Sequence, residues 1–311
     1  MTSYERLKRF YTRANVLGTH WPDHRDEWLR PTRTDGRPDR VLDAGCGRGE
    51  TLAEFKRFGV DVDYYGVDLG VGDPMWEFRV STVADLHDLP FKSGSFDKVV
   101  CTQVLEHVDR PDVVLSELGR VIRPGGKIFL SLPFVWHLHQ EPYDRYRFSQ
   151  HALEYLIKRY GLVADSIRPM GGYFSVLRYI FVHHGLVTDS WPLPLKKAAR
   201  PFSWAYQQFD RHLGGPLAYA LDHLDREQKL TIGYFLIVSR PLDSSSAATP
   251  SLPDDPYRCP HCADDGAQLL RGPNTWTCRK CGSSYSLDTG IPILTKPGAY
   301  RAVTDRISFN H

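Results

Sequence analysis

Apolar positions in this chain alternate between short runs and helical spacing. Apolar stretches at Arg40–Ala44, Asp63–Asp68, Val80–Ala84 and Phe96–Cys101 read as strands, the last after the turn-forming Lys92-Ser93-Gly94-Ser95. Gly49–Phe58 reads as a helix. Asp112–Ile122 reads as another, because Val114, Leu118, Val121 and Ile122 recur at i, i+4, i+7 and i+8 and so share one face. Arg123-Pro124-Gly125-Gly126 stops that helix, and Lys127–Leu132 follows as a strand. Ser149 is placed to cap a helix that runs to about Tyr160 and ends at Gly161. Leu162–Ile167 and Leu230–Ser239 complete the strands. Alternation of this kind predicts an α/β fold: a Rossmann-like, mostly parallel sheet of seven strands with helices on both faces.

Three stretches break the pattern. Residues 1–38 are polar and aromatic, with Tyr4, Tyr11, Trp21 and Trp28, and are expected to form an N-terminal helical lid. Residues 170–228 are an aromatic insertion interrupted by Pro192, Pro194, Pro201 and Pro216, expected to be a helical cover over an acceptor site. It places Tyr173, Phe174, Tyr179, Phe181, His183 and His184 ahead of Trp191, Lys196, Lys197 and Arg200. Aromatics among basic residues suit a lipid-linked or glycan ligand or a peripheral membrane contact, and equally a helical lid packed on the sheet. Pro241–Pro256 is a flexible linker by composition. The expected division is 1–240 for the main domain, 241–256 for the linker, 257–300 for a small domain and 301–311 for a tail.

Composition narrows the function. The 39 basic residues nearly balance 37 acidic ones, for a net charge of +2, which argues against a chain that holds nucleic acid by bulk charge. The first residues lack an apolar signal segment, and no run approaches the roughly 20 apolar residues of a spanning helix. A cytoplasmic location is the resulting expectation.

The densest chemistry lies in Val41-Leu42-Asp43-Ala44-Gly45-Cys46-Gly47-Arg48-Gly49-Glu50, where a strand enters a glycine-rich turn and a helix follows. Dinucleotide-binding proteins use a similar loop. Asp43, two residues before the first glycine, suits a bound ammonium rather than a pyrophosphate. Asp68 ends the next strand, where a carboxylate accepts hydrogen bonds from both hydroxyls of a ribose. Asp85-Leu86, after the third strand, suits an adenine amino group.

Leu42–Gly49, Asp88-Leu89-Pro90-Phe91, Leu105-Glu106-His107-Val108 and Arg123–Gly126 together resemble the class I S-adenosylmethionine (SAM)-dependent methyltransferases of the type 11-like group, in that family's order. The resemblance covers about residues 35–170. It implies that Asp43, Gly45 and Gly47 lie along the methionine part of SAM, that Asp68 and Leu69 hold ribose and adenine, that Asp85 and Leu86 meet the adenine edge, and that Gln103 sits beside the methionine or sulfonium. A catalytically dead relative that keeps the pocket is the principal rival.

Acceptor residues are expected after the fifth strand, in Pro133–Phe148, because ligands of open α/β sheets sit at the carboxyl ends of strands. His137 and His139 are candidate bases, Glu141 and Asp144 candidate partners for hydroxyls or an amine, and Arg145 and Arg147 for an acid. Each is also a candidate salt bridge or helix-entry contact. A metal held by His137, His139 and Glu141 fits the i, i+2 spacing of a strand face. His107 belongs to the family motif and is expected to orient the neighbouring loop.

Two cysteine pairs, Cys259-Pro260-His261-Cys262 and Cys278-Arg279-Lys280-Cys281, stand fifteen residues apart. That spacing predicts a structural Zn2+ held by four thiolates, with His261 outside the ligand set. The segment Tyr257–Leu294 resembles the small zinc-binding activator subunits of tRNA, rRNA and release-factor methyltransferases, with Ser286 where those proteins carry proline. The resemblance implies a packing role, against the chain's own catalytic domain or against a partner protein.

The leading expectation is a SAM-dependent methyltransferase that acts by in-line displacement on a small-molecule, glycan or lipid-linked acceptor. A methyltransferase of RNA or a translation protein with a built-in ribbon activator is the alternative, and a non-catalytic SAM-binding scaffold is a third.

Overall fold

The computed structural model describes residues 27–69, 80–184, 192, 194–195, 205, 208–242, 252–288 and 290–296. The expected lid over 1–38 lies largely outside these residues, as do 185–191, 193, 196–204 and 206–207 of the 170–228 insertion and the whole 301–311 tail.

In chain order the elements are β1 (Asp39–Ala44), α1 (Glu50–Arg57), β2 (Val62–Asp68), β3 (Thr82–Val83), a 3-10 turn at Leu86–Asp88 and β4 (Phe96–Thr102). There follow α2 (Pro111–Val121), β5 (Ile122–Pro133), α3 (Gln150–Arg159), β6 (Val163–Met170) and α4 (Tyr173–His184). A π-helical turn at Asp210–Gly214, α5 (Gly215–Asp222) and β7 (Gly233–Ser239) complete the large sheet's share. The C-terminal strands are β8 (Leu269–Arg271), β9 (Thr275–Cys278), β10 (Ser284–Asp288) and β11 (Ile291–Pro292).

The seven-stranded sheet has the order β3-β2-β1-β4-β5-β7-β6. β1 pairs in parallel with β2 and β4, β2 with β3, and β4 with β5. β7 runs the other way: the bonds Gly125 N–H to Arg240 O and Phe134 N–H to Ile232 O match rising numbers on β5 with falling ones on β7. The order is that of a dinucleotide-binding sheet with one reversed strand inserted before the last. Central strands are apolar on both faces, as a sheet covered by helices requires; Val99, Val100 and Leu42 are fully buried.

One boundary differs from the sequence reading. Ile122 begins β5 instead of ending α2, and Arg123–Gly126, read as a helix stop, lies inside the strand. Pro124 forces Arg123 out of the helical region. The register then jumps from Phe96↔Ile122 to Lys98↔Lys127, so the extra residues are absorbed as a bulge with Gly125 at φ 73°.

Contacts divide the chain into two units. One holds Trp28–Leu132, His139–Ile167 and the residues from Leu236 onward. At the amino ends of its strands, Lys98 is fully buried against Asp39 at 2.8 Å and the Trp28 carbonyl, and Arg123 meets buried Asp97 at 2.6 Å. Among the described residues the other unit holds Glu27, Pro133–Leu138 and those of Arg168–Phe235. There Asp222 accepts from the Phe174 and Ser175 N–H groups at 2.9 and 3.1 Å, which satisfies donors at the start of α4. Arg178 pairs with Asp210 through two 2.6 Å bonds. Among the described residues no helix is long and apolar enough to cross a membrane.

The four-stranded sheet β11-β10-β9-β8 belongs to the first unit and lies on the β3 edge of the large sheet. Ile293 bridges Val83 in parallel, and the Leu294 N–H donates to the Val83 carbonyl at 2.9 Å. Ile291 and Ile293 pack on Cys46, Val80 and Val83. Tyr257 is buried beside Phe91 and Trp276, each at 5.1 Å between ring centroids. Arg258 reaches Asp88 and Glu117, and Lys296 pairs with Asp88 at 2.9 Å. Residues at the end of the stretch read as linker take part as well: the Pro253 carbonyl accepts from Arg40, and Pro256 O accepts from the Lys92 N–H. An exposed sheet edge invites pairing by other chains, and this edge is covered by the chain itself.

Candidate functional site

The turn after β1 is built from glycines in the left-handed region: Gly45, Gly47 and Gly49 have φ of 76°, 48° and 68°. At Gly45 a Cβ would lie 2.5 Å from Cγ2 of Val104, so the loop has no room for a side chain there. The Gly45 and Cys46 N–H groups both donate to the Val67 carbonyl, which ties the turn to the end of β2.

Asp43 is 2% exposed near the end of β1, and the Tyr64 hydroxyl donates to its Oδ2 at 2.7 Å. Burial raises its pKa to about 7, against the opposing hydrogen bonds from Tyr64 and Thr51. Asp68 ends β2 and accepts the Gly47 N–H at 2.9 Å; Leu69 follows it. Asp85 caps the 3-10 turn after β3, accepting from the His87 N–H at 2.9 Å and facing His87 Nδ1 at 2.6 Å, while Leu86 is buried. Hydrogen bonding to Asp85 raises the His87 pKa. Gln103, just past β4, holds a left-handed φ of 55°; its N–H donates to the Ser131 carbonyl and its Nε2 to Ser131 Oγ. A non-glycine residue in that region is uncommon and marks a constrained turn. All eight cofactor candidates thus stand at or just beyond the carboxyl ends of four adjacent strands, β3-β2-β1-β4.

The donor set suits an adenosyl amino acid. The described partners of Asp43 are hydroxyls rather than a cation, so an ammonium would complete it. Asp68 holds the Gly47 N–H with one carboxylate oxygen, and a carboxylate is the acceptor type that a diol requires.

The residues expected to serve the acceptor have different partners. His137 Nδ1 meets the Tyr179 hydroxyl at 2.5 Å, its N–H donates to the same oxygen at 2.9 Å, and Trp136 stacks on Tyr179 at 4.6 Å. Asp144, with a side chain only 1% exposed, accepts two bonds from Arg147 at 2.6 and 2.7 Å and faces His139 Nδ1 at 3.1 Å. Arg147 and the His139 contacts outweigh its burial and hold its pKa below the usual carboxylate range. Glu141 is exposed. Among the described residues, His137, His139 and Glu141 do not form a metal-ligand group.

A different cluster forms around His139. The turn Leu105-Glu106-His107 places Glu106 and His107 beside it, with the His107 and His139 rings 4.7 Å apart. Glu106 is fully buried, and among the described residues neither carboxylate oxygen has a hydrogen-bond partner. Burial raises its pKa to about 8, and burial lowers that of His107 to about 4. The sequence motif contained both residues; their convergence with His139 depends on loop 139–147 folding back, its Arg145 and Tyr146 N–H groups donating to the Glu106 carbonyl.

Cys259, Cys262, Cys278 and Cys281 bring their sulfurs within 4.8 Å of one another. The separations Cys259–Cys281 and Cys262–Cys278 are 3.6 and 3.9 Å. Four thiolates at about 2.3 Å from a tetrahedral Zn2+ stand roughly 3.8 Å apart, so the set fits that ion. The Tyr285 hydroxyl lies 2.9 Å from Cys259 Sγ and accepts the His261 backbone N–H, and the ligand group comprises the four cysteines without His261.

Residues 21–167 match the family model of a methyltransferase domain. The ubiquinone biosynthesis O-methyltransferase of Xanthomonas oryzae pv. oryzae (strain PXO99A) is 35% identical over 123 residues, 33% of this chain and 49% of that protein. The protein of the same name from Nitrosococcus oceani is 34% identical over 103 residues, 30% of this chain and 42% of that one. The chain spans about half the length of the curated relatives it matches first. Among solved structures, a SAM dependent methyltransferase from Archaeoglobus fulgidus aligns with a TM-score of 0.46 at 18% identity, over 76% of this chain and 100% of that one. The complex between the Haloferax volcanii Trm112 methyltransferase activator and a methyltransferase aligns with a TM-score of 0.45 at 16% identity, over 79% and 100%. The family model thus matches a little under half of the chain, and the sheet that holds most of those residues has a Rossmann-like strand order.

Proposed function

We propose that this protein is a SAM-dependent methyltransferase that transfers the methyl group to an oxygen of a small-molecule acceptor. The observation that carries the reading is the placement of Asp43, Asp68, Asp85 and Gln103 at the carboxyl ends of four neighbouring strands around a left-handed glycine turn. In this reading Asp43 meets the ammonium of SAM, Gly45 and Gly47 let its methionine part approach the backbone, Asp68 and Leu69 hold ribose and adenine, Asp85 and Leu86 meet the adenine edge, and Gln103 sits by the sulfonium. SAM supplies an activated methyl carbon; the protein's task is alignment and exclusion of water. A base is needed only if the acceptor must lose a proton, and His139, oriented by Asp144, is the candidate with a built support. The choice of oxygen and of a small acceptor follows the names of the relatives over their shared segment. Glycan or lipid-linked acceptors fall under the same reading.

The four cysteines hold a structural Zn2+ in this proposal, and the ribbon acts inside the chain. Its contacts with β3 and with the Asp88–Phe91 segment favour support of the catalytic domain over capture of an RNA or protein substrate. The test is transfer of labelled methyl from SAM into a fractionated cell extract, with Asp68→Ala as control. Label in the small-molecule or lipid fraction supports the reading. Label confined to RNA or protein overturns the acceptor class, and no label with SAM still bound favours a non-catalytic SAM binder.

A further inference from the structure

The segment that carries Asp85 is fastened along α2. The Leu89 N–H donates to Glu117 at 2.8 Å, and Arg120 donates to the Leu89 and Phe91 carbonyls at 3.0 and 2.6 Å. Leu86 and Leu89 are buried. The Asp85 side chain stands outside that packing, 36% exposed. A carboxylate on so short a stem still turns about two bonds. A site that recognises a ligand through such a group gains by fixing it before the ligand arrives.

His87 supplies the fixing. Its backbone N–H and its Nδ1 both meet Oδ1 of Asp85, at 2.9 and 2.6 Å. The backbone bond caps the 3-10 turn and would do so with any residue at 87, so the ring is not needed for capping. On the far side of the ring, Nε2 accepts the Arg110 backbone N–H at 3.2 Å. Arg110 is the residue that enters α2, ahead of Pro111. An N–H only donates, so Nε2 is the unprotonated nitrogen, and Nδ1 carries the proton that Asp85 accepts. The tautomer is thereby set from the start of α2, as the partner of one ring nitrogen determines the role of the other. A rigid ring braced at both nitrogens joins the carboxylate to the amino end of the helix that follows β4.

We infer that His87 is a positioning residue for purine recognition: it holds the Asp85 carboxylate in the orientation that accepts the exocyclic amino group of adenine, and so makes the site selective for a 6-aminopurine. The inference rests on the SAM reading of the site. An amino group is the donor that a carboxylate oxygen requires. A purine with a carbonyl in its place would set oxygen against oxygen, and one with hydrogen there offers no donor.

The test is calorimetry on the full chain with two probes, S-adenosylhomocysteine and its analogue that lacks the 6-amino group. Wild type is expected to prefer the amino compound about tenfold or more, the effect of one hydrogen bond to a charged acceptor. His87→Ala should bring the preference below about threefold through weaker binding of the amino compound alone. Two further variants separate the orientation of Asp85 from the tie to α2. His87→Asn keeps an amide donor where Nδ1 stands and should restore the preference. His87→Gln carries an amide oxygen toward the Arg110 N–H and should not, even where it restores the unfolding midpoint. His87 is 26% exposed, and circular dichroism checks the fold of each variant. Preference retained in folded His87→Ala, or restored by Gln and not by Asn, overturns the inference and leaves the SAM reading standing. Equal binding of the two probes by wild type overturns it as well, and failure of wild type to bind either probe overturns both.

Discussion

The hydroxyls of Tyr257 and Thr82 meet at 2.8 Å in a buried contact between the ribbon and the edge strand β3. Removing either partner alone strands a buried hydroxyl, whereas removing both strands none. Tyr257→Phe and Thr82→Val are each expected to cost about 1–3 kcal/mol by denaturant unfolding, and the double variant less than their sum. Additive losses would mean that the two hydroxyls do not support one another.

The ribbon also touches the glycine turn, since Ile291 and Ile293 pack on Cys46, which sits between Gly45 and Gly47. A ribbon that loses its fold withdraws that support. Cys278→Ser, or extraction of zinc by a chelator, is therefore expected to release one Zn2+ per chain and to weaken SAM binding by calorimetry at least tenfold. SAM affinity that survives zinc loss would separate the two sites.

The strand–helix alternation was legible because central strands such as β4 are buried on both faces and leave a continuous apolar run. The left-handed turn at Gly45 and Gly47 was legible for a similar reason: strand, glycines and helix follow one another directly in sequence. Three features were not. The docking of Tyr257 and Arg258 joins residues some 170 apart, for which no local pattern exists. His137, His139 and Glu141 looked equivalent as a polar run, yet Tyr179 takes the first, Asp144 the second and solvent the third. Glu106 read as a motif letter, and its stranded carboxylate shows only in three dimensions.

Asp43 gives a pH dependence with a definite sign. Its folded pKa is raised to about 7 from 3.8 by burial, so between those values the native state binds more protons than the unfolded chain. Its contribution to stability is therefore greatest in acid and declines as pH rises from about 4 to about 7. SAM favours the ionised form through its ammonium, so SAM affinity should rise across pH 6–8 with release of a proton on binding. Asp43→Asn should remove both the proton release and this part of the stability slope. Calorimetry in buffers of different ionisation enthalpy reads the proton directly; its persistence in the variant would assign it elsewhere.

Asp68 combines two tasks that substitution can separate. One oxygen fixes the Gly47 N–H at 2.9 Å, and the carboxylate is expected to receive the ribose hydroxyls of SAM. Asn keeps an acceptor for Gly47 but replaces one acceptor oxygen with an amide donor. Ala loses both functions and no buried core volume. Asp68→Asn is thus expected to leave the unfolding midpoint unchanged and to weaken SAM binding about 10–100-fold, the equivalent of roughly 1.5–3 kcal/mol. Asp68→Ala should weaken binding further and also lower the midpoint slightly, because the glycine turn loses one of its ties to β2, that from Gly47. Equal SAM affinity in wild type and Asp68→Asn would remove the ribose from this position, while a loss in Ala alone would reduce Asp68 to a support for the loop.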